Sequence, residues 1–398
     1  MSRFKRRTKV IFVVVALLIV LTGAWIYKSV YLSTGTALQR AESFLFSRTT
    51  VAQLGEQGAM RYFYMTNRAE TEQSNELRYR FGAERGPGLK FGVYDTRVEP
   101  SVGLGMFINP SEWFQNEEIR IQKMEALQQE ELVAQLRELV GASPQQSLLV
   151  VVHGFREAFP SAMRKTAFLG PVLDINSPVL LFDWPGNQGS SLRGYRRARN
   201  VAIESSADLA KALELIVREV DPKKLWVLGN SMGGEVIVNA FSHLYRNPEF
   251  ADTGFEFEDV VLTAPDVSQE EFDKQFKKEI SSMARNLTVY VSSNDRALVM
   301  SRIINRDPRR GESTLNPDML DEANRISALI EPGEDLIDLV DVTPVNRTRN
   351  FHNFSLETPE FFDDLYLRLA NDKTPDSRLI YRFQTDEGAN YWVLTPGR

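Results

Sequence analysis

The sequence predicts an α/β fold built on a mainly parallel, doubly wound sheet, with an antiparallel N-terminal lead-in and one transmembrane helix ahead of it. Three observations support this prediction: an uncharged apolar run near the N-terminus, several short aromatic-rich segments after it, and a long alternation of apolar strands with helical segments. The 398 residues are 43% hydrophobic and 25% charged, which is ordinary globular usage. A chain of this length can bury a substantial core.

The apolar run near the N-terminus predicts a membrane-spanning helix. Residues 1–9 are basic, and residues 10–26 hold no charged side chain. At about 1.5 Å per residue this run spans roughly 26 Å as a helix, close to the ~30 Å hydrocarbon core of a bilayer. Basic residues before the run, with Trp25 and Tyr27 at its far end, predict that the N-terminus stays inside. We expect residues 10–27 to be a transmembrane anchor or uncleaved signal.

This anchor predicts a single-pass membrane protein whose body lies on the non-cytoplasmic side, either periplasmic or extracellular. The alternative is a cleaved signal peptide, which would make the protein a soluble exported one. Small residues around Ser33 and Gly35 offer only a poor cleavage site, so the retained anchor is favoured. Residues 28–57 then form a stalk that leads to the body.

The segments after the stalk predict a small antiparallel lead-in. Strand candidates separated by glycine and proline signals cover residues 61–65, 77–81, 90–98 and 102–108. The polar residues 66–75 are typical of a loop. Across residues 117–140, apolar side chains recur at helical spacing among Gln and Glu. This period predicts one amphipathic helix that covers the sheet.

The remainder of the chain predicts the parallel sheet. Continuous apolar runs of strand length lie at residues 148–152, 179–182, 225–228, 260–263, 287–291 and 336–340. Such runs indicate strands buried on both faces, which requires helices above and below a mainly parallel sheet. Helical patterns at 198–220 and 233–244 lie between them. We expect one α/β domain at residues 58–372 and a C-terminal β-hairpin tail at residues 373–398.

A serine in a glycine-rich turn is the strongest chemical signal. Residues 225–228 form a strand candidate that runs directly into Gly-Asn-Ser-Met-Gly-Gly, and a helical pattern follows. This is G-x-S-x-G in the strand–turn–helix context that projects a serine hydroxyl above a sheet. Ser231 is therefore the candidate nucleophile. The alternative is a glycine-rich turn with an incidental serine.

A serine nucleophile needs a base, and the sequence offers three histidines. His243 lies twelve residues after Ser231, about 18 Å along a helix, which is too far for contact. His153 directly follows a strand in a His-Gly-Phe turn, a position suited to shaping the backbone. By elimination we expect His352 to be the base.

The base in turn needs a carboxylate that orients it. Asp295 follows a buried strand and lies 64 residues after Ser231 and 57 before His352. The chain order Ser, Asp, His is one known for such triads. Asp266 also follows a strand and is the alternative acid. Either aspartate could instead cap a turn or a helix.

A developing oxyanion needs hydrogen-bond donors. The backbone N–H of Met232 lies just after the nucleophile at a helix N-terminus, whose dipole favours negative charge. The second donor is predicted to be the N–H of Phe155, where Gly154 lets the chain bend. The turn at residues 182–189 borders the pocket or is a Pro-Gly turn with a packed tryptophan.

Composition excludes several other classes of protein. The chain has no cysteine, which excludes disulfides, thiolate catalysis and cysteine-ligated metals. Three scattered histidines disfavour a metal site, and no cofactor is expected. The net charge is −6 although residues 1–33 hold six basic residues and no acidic one. The rest of the chain is therefore strongly acidic, which argues against nucleic acid as a partner.

Several runs together resemble a known family. The runs are VVVHGF, LLFDWPGNQGS, GNSMGGEVIVNAF, LTAPDV and YVSSNDRAL, preceded by YFYMTNRAE and LKFGVYDTRVEP. They resemble an uncharacterised, mainly bacterial α/β-hydrolase family, a domain of unknown function, over about residues 60–370. The resemblance implies the α/β-hydrolase fold and a triad of Ser231, Asp295 and His352. Many members carry His immediately before the nucleophile, where this chain has Asn230.

These observations predict a membrane-anchored or exported serine hydrolase that acts on carboxylic esters, similar to an esterase or lipase. The expected substrate is a small-molecule or lipid ester. An amidase, thioesterase or acyltransferase would use the same triad, so these activities stay open. A non-catalytic, envelope-tethered interaction protein with this fold is the alternative from another class.

Overall fold

A computed structural model of the chain describes one sheet and the helices around it. The residues that it describes are 17, 20, 21, 50–55, 59–72, 74–98, 119–292, 295, 338–346, 354–370, 380–384 and 390–395.

Eleven strands form a single sheet within these residues, in the order β10-β11-β9-β8-β7-β6-β4-β5-β1-β2-β3. The strands are β1 (Ala59–Glu70), β2 (Phe81–Val98), β3 (Ile119–Leu127), β4 (Ser147–Val152), β5 (Val179–Asp183), β6 (Lys224–Asn230), β7 (Asp259–Thr263), β8 (Leu287–Val291), β9 (Asp338–Asp341), β10 (Ile380–Gln384) and β11 (Asn390–Leu394).

The described helices are α1 (Leu77–Arg80), α2 (Gln129–Ala142), α3 (Phe159–Leu173), α4 (Leu192–Leu215), α5 (Met232–Tyr245), α6 (Pro248–Ala251), α7 (Gln269–Glu271), α8 (Lys277–Ser281), α9 (Phe354–Glu357) and α10 (Pro359–Leu369). Two π-helical turns, Ile216–Val220 and Phe272–Phe276, continue α4 and join α7 to α8.

The centre of the sheet is parallel, as predicted. Strands β5, β4, β6, β7, β8 and β9 pair in parallel with their neighbours, and β1 joins this group parallel to β5. The antiparallel pairs are β1 with β2, β2 with β3, and β10 with β11. The antiparallel N-terminal lead-in is therefore confirmed.

The apolar strands are buried on both faces because helices cover both. Along β4, Leu148, Val150 and Val152 belong to one core cluster, whereas Leu149 and Val151 belong to the other. This follows from the two-residue period of a strand. Helices α2, α4 and α5 contribute to the first cluster, and α3 and α10 contribute to the second.

The carboxyl edge of the sheet collects the residues of interest. Ser231 follows β6, His153 follows β4, and Asp183 is the last residue of β5. Asp266 and Asp295 lie three and four residues after β7 and β8. Ligand sites of parallel sheets lie at this edge.

Two local predictions in the lead-in are wrong. Residues 66–70 continue β1 rather than forming a loop, because β1 pairs with β2 on one side and with β5 on the other. Residues 77–80 form the short helix α1 rather than a strand.

Residues 119–127 form the edge strand β3, not the start of a helix. Its pairing with β2 skips Gln122, because Ile121 faces Thr96 and Lys123 faces Asp95. This bulge shifts the alternation by one residue, so Ile119, Ile121 and Met124 all reach the same core cluster. The resulting spacing imitates a helical period, and the true helix α2 begins at Gln129.

Some predictions fall outside the described residues. They include most of the anchor at residues 10–27, the stalk up to residue 49 and the strand candidate at 102–108. Within the part of the chain that the structure describes, no helix is both long and apolar enough to cross a membrane.

Candidate active site

Ser231 lies in a strained backbone conformation between β6 and α5. Its φ and ψ angles are 53° and −123°, a combination that L-residues rarely adopt and that costs about 1–3 kcal/mol. Three backbone hydrogen bonds hold it there. The Ser231 N–H donates to the Thr263 carbonyl (2.9 Å), and the Ser231 carbonyl accepts from Gly234 (2.9 Å) and Asp266 (3.1 Å). The surroundings therefore impose the conformation on the serine.

Glycines let the strand and helix on either side of Ser231 pack closely. A Cβ on Gly233 would lie 2.5 Å from the Val152 carbonyl oxygen and 2.7 Å from that of His153. A Cβ on Gly229 would collide with the Ile237 side chain. The G-x-S-x-G glycines are thus required for the contact of α5 with β4 and β6.

The two candidate acids lie beyond neighbouring strands. Asp295 is fully buried, and its N–H donates to the Ser292 carbonyl at 3.4 Å. Asp266 is also buried, and its carboxylate accepts a hydrogen bond of 2.7 Å from the Tyr195 hydroxyl. Through its backbone N–H, Asp266 also touches Ser231. The choice of Asp295 over Asp266 stays a prediction.

His352, the predicted base, lies outside the described residues. Ser355, three residues later, is described and buried. Its hydroxyl donates to the Asn230 side-chain oxygen at 3.1 Å, and Thr263 donates to the same oxygen at 3.0 Å. The chain just after His352 therefore contacts the residue that precedes Ser231.

The other two histidines occupy different environments. His243 is exposed on α5. His153 is buried, and its Nδ1 lies 2.9 Å from the Gly154 carbonyl oxygen while its Nε2 lies 3.0 Å from Asp183 Oδ1. Since a carbonyl oxygen only accepts, Nδ1 carries a hydrogen and donates it. The ring also stacks on Trp184 with a centroid distance of 5.5 Å. Both ring nitrogens and the ring plane of His153 are therefore in contact with other protein groups.

The predicted oxyanion donors lie on either side of Ser231, the candidate nucleophile. Met232 is the first residue of α5, and Phe155 lies in the turn after β4. Within the described part of the chain, neither backbone N–H donates to a protein acceptor. Gly154 packs directly on the nucleophile turn, because a Cβ there would lie 3.2 Å from Ser231 Cβ. The loop of Phe155 and the turn of Ser231 are therefore in contact.

Sequence reasoning missed a buried ion pair beside this loop. Arg68 Nε lies 2.6 Å from Asp183 Oδ2, and both side chains are fully buried. Burial raises the pKa of Asp183, but the Arg68 charge and the hydrogen bond to His153 outweigh burial and hold that pKa below its ordinary range. The only sequence signals were an arginine within YMTNRAE and an aspartate that ends a buried strand.

A small recess adjoins the turn of Ser231 on the side of α3. Its volume is about 40 Å³, and its lining includes Glu157, Lys165, Asn230, Ser355 and Leu356. Glu157 forms an ion pair with Lys165. Burial raises the pKa of Glu157, but Lys165 and the Ser161 hydroxyl outweigh burial, so that pKa lies below its usual value. Among the described residues, no group of three or more His, Asp or Glu side chains could hold a metal ion.

One family model matches the chain. It is described as an alpha/beta hydrolase of unknown function (DUF900), and the match covers residues 128–365, more than half of the sequence. No curated protein matches the chain significantly.

Solved structures of hydrolases resemble the chain distantly. A predicted CIB-like hydrolase from Thermoplasma acidophilum is 14% identical with a TM-score of 0.34, covering 57% of this chain and 88% of that one. Esterase B from Lactobacillus rhamnosis is 10% identical with a TM-score of 0.34, covering 90% and 96%. Carboxylesterase CesB from Bacillus subtilis is 13% identical with a TM-score of 0.32, covering 62% and 100%. Because all three TM-scores are below 0.5, the family match and the sheet topology identify the fold.

Proposed function

The chain belongs to the DUF900 family of α/β-hydrolases, and from this membership and the geometry around Ser231 we propose that it is a serine hydrolase of carboxylic esters. Ser231 is the nucleophile, His352 the general base and Asp295 the acid that orients the base. The strained conformation of Ser231 carries the proposal. Strain of this size persists only where the surrounding structure imposes it, and such positions cluster at functional sites.

The reaction follows the general course of serine acyl transfer. The Ser231 hydroxyl attacks the ester carbonyl while His352 takes its proton, and the carbonyl oxygen becomes an oxyanion. The N–H groups of Phe155 and Met232 donate to this oxyanion. Collapse of the tetrahedral intermediate expels the alcohol, which receives the proton from His352. Water then attacks the acyl group on Ser231 by the same steps in reverse.

Two contacts support the proposed base and acid. Ser355 touches Asn230, and three peptide units of about 3.8 Å each keep His352 within roughly 11 Å of Ser355 along the chain. Asp295 is buried beyond β8, one strand further from the nucleophile strand than Asp266. The Asp266 carboxylate accepts a hydrogen bond from the Tyr195 hydroxyl, which favours a structural role for Asp266.

We also propose that the domain is held at a membrane on its non-cytoplasmic side by residues 10–27. Support comes from the uncharged run, the basic residues before it and the aromatic residues at its end. A small-molecule or lipid ester in that compartment is the proposed substrate.

Labelling with a fluorophosphonate tests the proposed nucleophile. We expect the full-length protein to react and the Ser231→Ala variant not to react. Ser205→Ala is the matched control, because Ser205 is buried on α4 and its hydroxyl has no hydrogen-bond partner within the described residues. This variant should label like the wild type. An unlabelled wild-type protein contradicts the proposal and favours the non-catalytic alternative.

Substrate comparison separates the related activities. Matched ester, thioester and amide substrates with the same acyl group differ only in the leaving group. We expect turnover of the ester to exceed that of the amide. A preference for the amide or the thioester would reassign the activity while leaving Ser231 as nucleophile.

A further inference from the structure

Arg68 connects three strand ends through one buried guanidinium. It lies near the end of β1, and its Nε and Nη2 donate to the two Asp183 carboxylate oxygens at 2.6 and 3.0 Å. Its Nη2 also donates to the Trp184 carbonyl at 2.6 Å and to the Glu157 carbonyl at 2.8 Å. Its Nη1 donates to the Asn187 side chain at 2.6 Å. Arg68 thus binds the loop after β4 and the loop after β5 at the same time.

Further hydrogen bonds join the same two loops. The N–H of Arg156 donates to the Gly186 carbonyl at 2.9 Å, and the Trp184 indole donates to the His153 carbonyl at 2.8 Å. His153 itself lies 3.0 Å from the Asp183 carboxylate. Asp183 and Trp184 therefore link Arg68 to His153, which precedes the turn of Gly154 and Phe155. Arg156, which follows that turn, is held by Gly186, whose N–H donates to the Trp184 carbonyl at 2.7 Å.

Only an arginine fits this arrangement. The planar guanidinium has five N–H donors in a rigid fork, and here acceptors from two loops surround it. A lysine would keep the charge but would present one nitrogen with three donors, so it could not span the same acceptors. The charge therefore explains the pairing with Asp183, whereas the shape explains the contacts to the loops.

We propose that Arg68 is a positioning residue for the oxyanion hole. By holding the loop after β4 against the loop after β5, it sets the position of the Phe155 N–H relative to Ser231. The inference rests on the proposed function, because a non-catalytic protein has no oxyanion to bind. Oxyanion donors act only when they lie at hydrogen-bond distance from the transition-state oxygen, and a shift of about 1 Å costs on the order of 100-fold in rate.

Arg68→Lys in the full-length protein tests the proposal. We expect kcat on an activated ester, per fluorophosphonate-reactive site, to fall about 10- to 100-fold while KM changes less than about threefold. Affinity for an alkyl boronic acid, which mimics the tetrahedral intermediate, should fall by the same factor as kcat. A merely structural role would lower the melting temperature and leave kcat per reactive site unchanged.

Arg61→Lys is the matched control. Arg61 lies on the same strand and also forms a two-pronged ion pair, with Asp95, at 2.8 and 3.0 Å. It lies seven residues away, roughly 23 Å along β1 and near the amino end of that strand. We expect its kcat and boronate affinity to match those of the wild type. An equal loss in Arg61→Lys would overturn the proposal, because it would show that any weakened ion pair on β1 lowers activity.

A milder variant decides the matter if Arg68→Lys does not fold. Asn187→Ala removes one Arg68 acceptor at a partly exposed position, and we expect kcat to fall about 3- to 10-fold with little change in KM. Unchanged kcat in this variant, or in a folded Arg68→Lys variant, overturns the inference about Arg68. The proposed function still stands in that case if the wild-type protein reacts with the fluorophosphonate. A wild-type protein that does not label overturns both.

Discussion

At the scale of single residues, the proposed chemistry depends on the backbone conformation of Ser231. The backbone N–H groups of Gly234 and Asp266 donate to the Ser231 carbonyl, and the Ser231 N–H donates to the Thr263 carbonyl. With both backbone groups bound, the strained turn cannot relax without breaking several hydrogen bonds at once. The side chain is thereby held at the carboxyl edge of the sheet, between the loops that carry Phe155 and Asp266.

Triad substitutions should act as a unit. We expect Ser231→Ala, His352→Ala and Asp295→Asn each to lower kcat/KM on an activated short-chain ester by several orders of magnitude, with little further loss on combination. Steady-state kinetics of the single and double variants measure this. Asp266→Asn should cost much less than Asp295→Asn, and the reverse ranking would reassign the acid. Full activity in Ser231→Ala would end the hydrolase proposal.

Activity should depend on a neutral histidine. We expect kcat/KM to rise with pH along a single ionisation in the range where histidine titrates, about 6.5. A pH–rate profile between pH 5 and 9 measures this. His243→Gln is the control, because His243 is exposed on α5, and it should leave midpoint and rate unchanged. A flat profile, or one that survives His352→Gln, would show that the base is another group.

At the scale of elements, the arrangement of the carboxyl edge depends on how closely α5 approaches the parallel strands. Gly233 on α5 faces the carbonyl oxygens at the end of β4. These belong to Val152 and His153, directly before the turn that carries the predicted Phe155 donor. The packing of one helix therefore joins the turn of Ser231 to the loop of Phe155.

Replacing Gly233 by Ala should disturb both stability and activity. The new Cβ would meet two backbone oxygens at 2.5 and 2.7 Å, so the helix must shift, and we expect a loss of about 1–3 kcal/mol in the free energy of unfolding. Denaturant unfolding and ester kinetics measure the two effects. Gly141→Ala on α2 is the control, since a Cβ there meets nothing within 4 Å. This substitution should be neutral or stabilise by about 0.5–1 kcal/mol. Equal effects of both substitutions would contradict the packing argument.

At the scale of the whole molecule, the Arg68–Asp183 pair joins the antiparallel lead-in to the parallel core. Arg68 belongs to β1 and Asp183 to β5, which are neighbours in the sheet. Thr66, also on β1, donates to the same carboxylate at 2.6 Å. Fully buried charges are tolerated only when paired and hydrogen-bonded. The pair therefore makes the packing of the lead-in depend on one ionised carboxylate.

Stability should fall in acid because Asp183 must stay ionised. Its pKa is lowered in the folded protein, so the unfolded chain binds a proton first as the pH falls below about 3.9. The contribution is present above that value and is lost as the pH falls through the lowered pKa. Asp183→Asn should cost about 3–5 kcal/mol at pH 7 by leaving Arg68 buried and unpaired. It should also show a shallower loss of stability between pH 5 and 3, measured by thermal unfolding. Identical pH slopes would contradict this assignment.

The proposed anchor should keep the protein in the membrane fraction. We expect N-terminal sequencing of the mature protein to begin at or near residue 1, and extraction to require detergent rather than high salt. A variant that lacks residues 1–33 should be released while keeping its ester turnover. A mature N-terminus near residue 34–38 would instead make the protein a soluble exported enzyme.

The sequence by itself determined the parallel core and the glycine-rich turn that holds Ser231. Both depend on local signals: strands buried on both faces are continuous apolar runs, and a strained serine turn needs glycines within two residues on either side. These signals can be recognised without knowledge of the tertiary contacts, because each involves only residues that are close together in the sequence. The confirmed strands at 148–152 and 225–228 are of this kind.

Only the tertiary structure decided the edge strand β3 and the surroundings of the oxyanion loop. The bulge at Gln122 becomes visible only once β2 is paired with β3, since spacing along one strand cannot show where its partner lacks a residue. Arg68 and Asp183 are 115 residues apart in the chain. Their contact depends on β1 lying beside β5, so the folded sheet, rather than any local pattern, places a guanidinium against two loops at the carboxyl edge of the sheet.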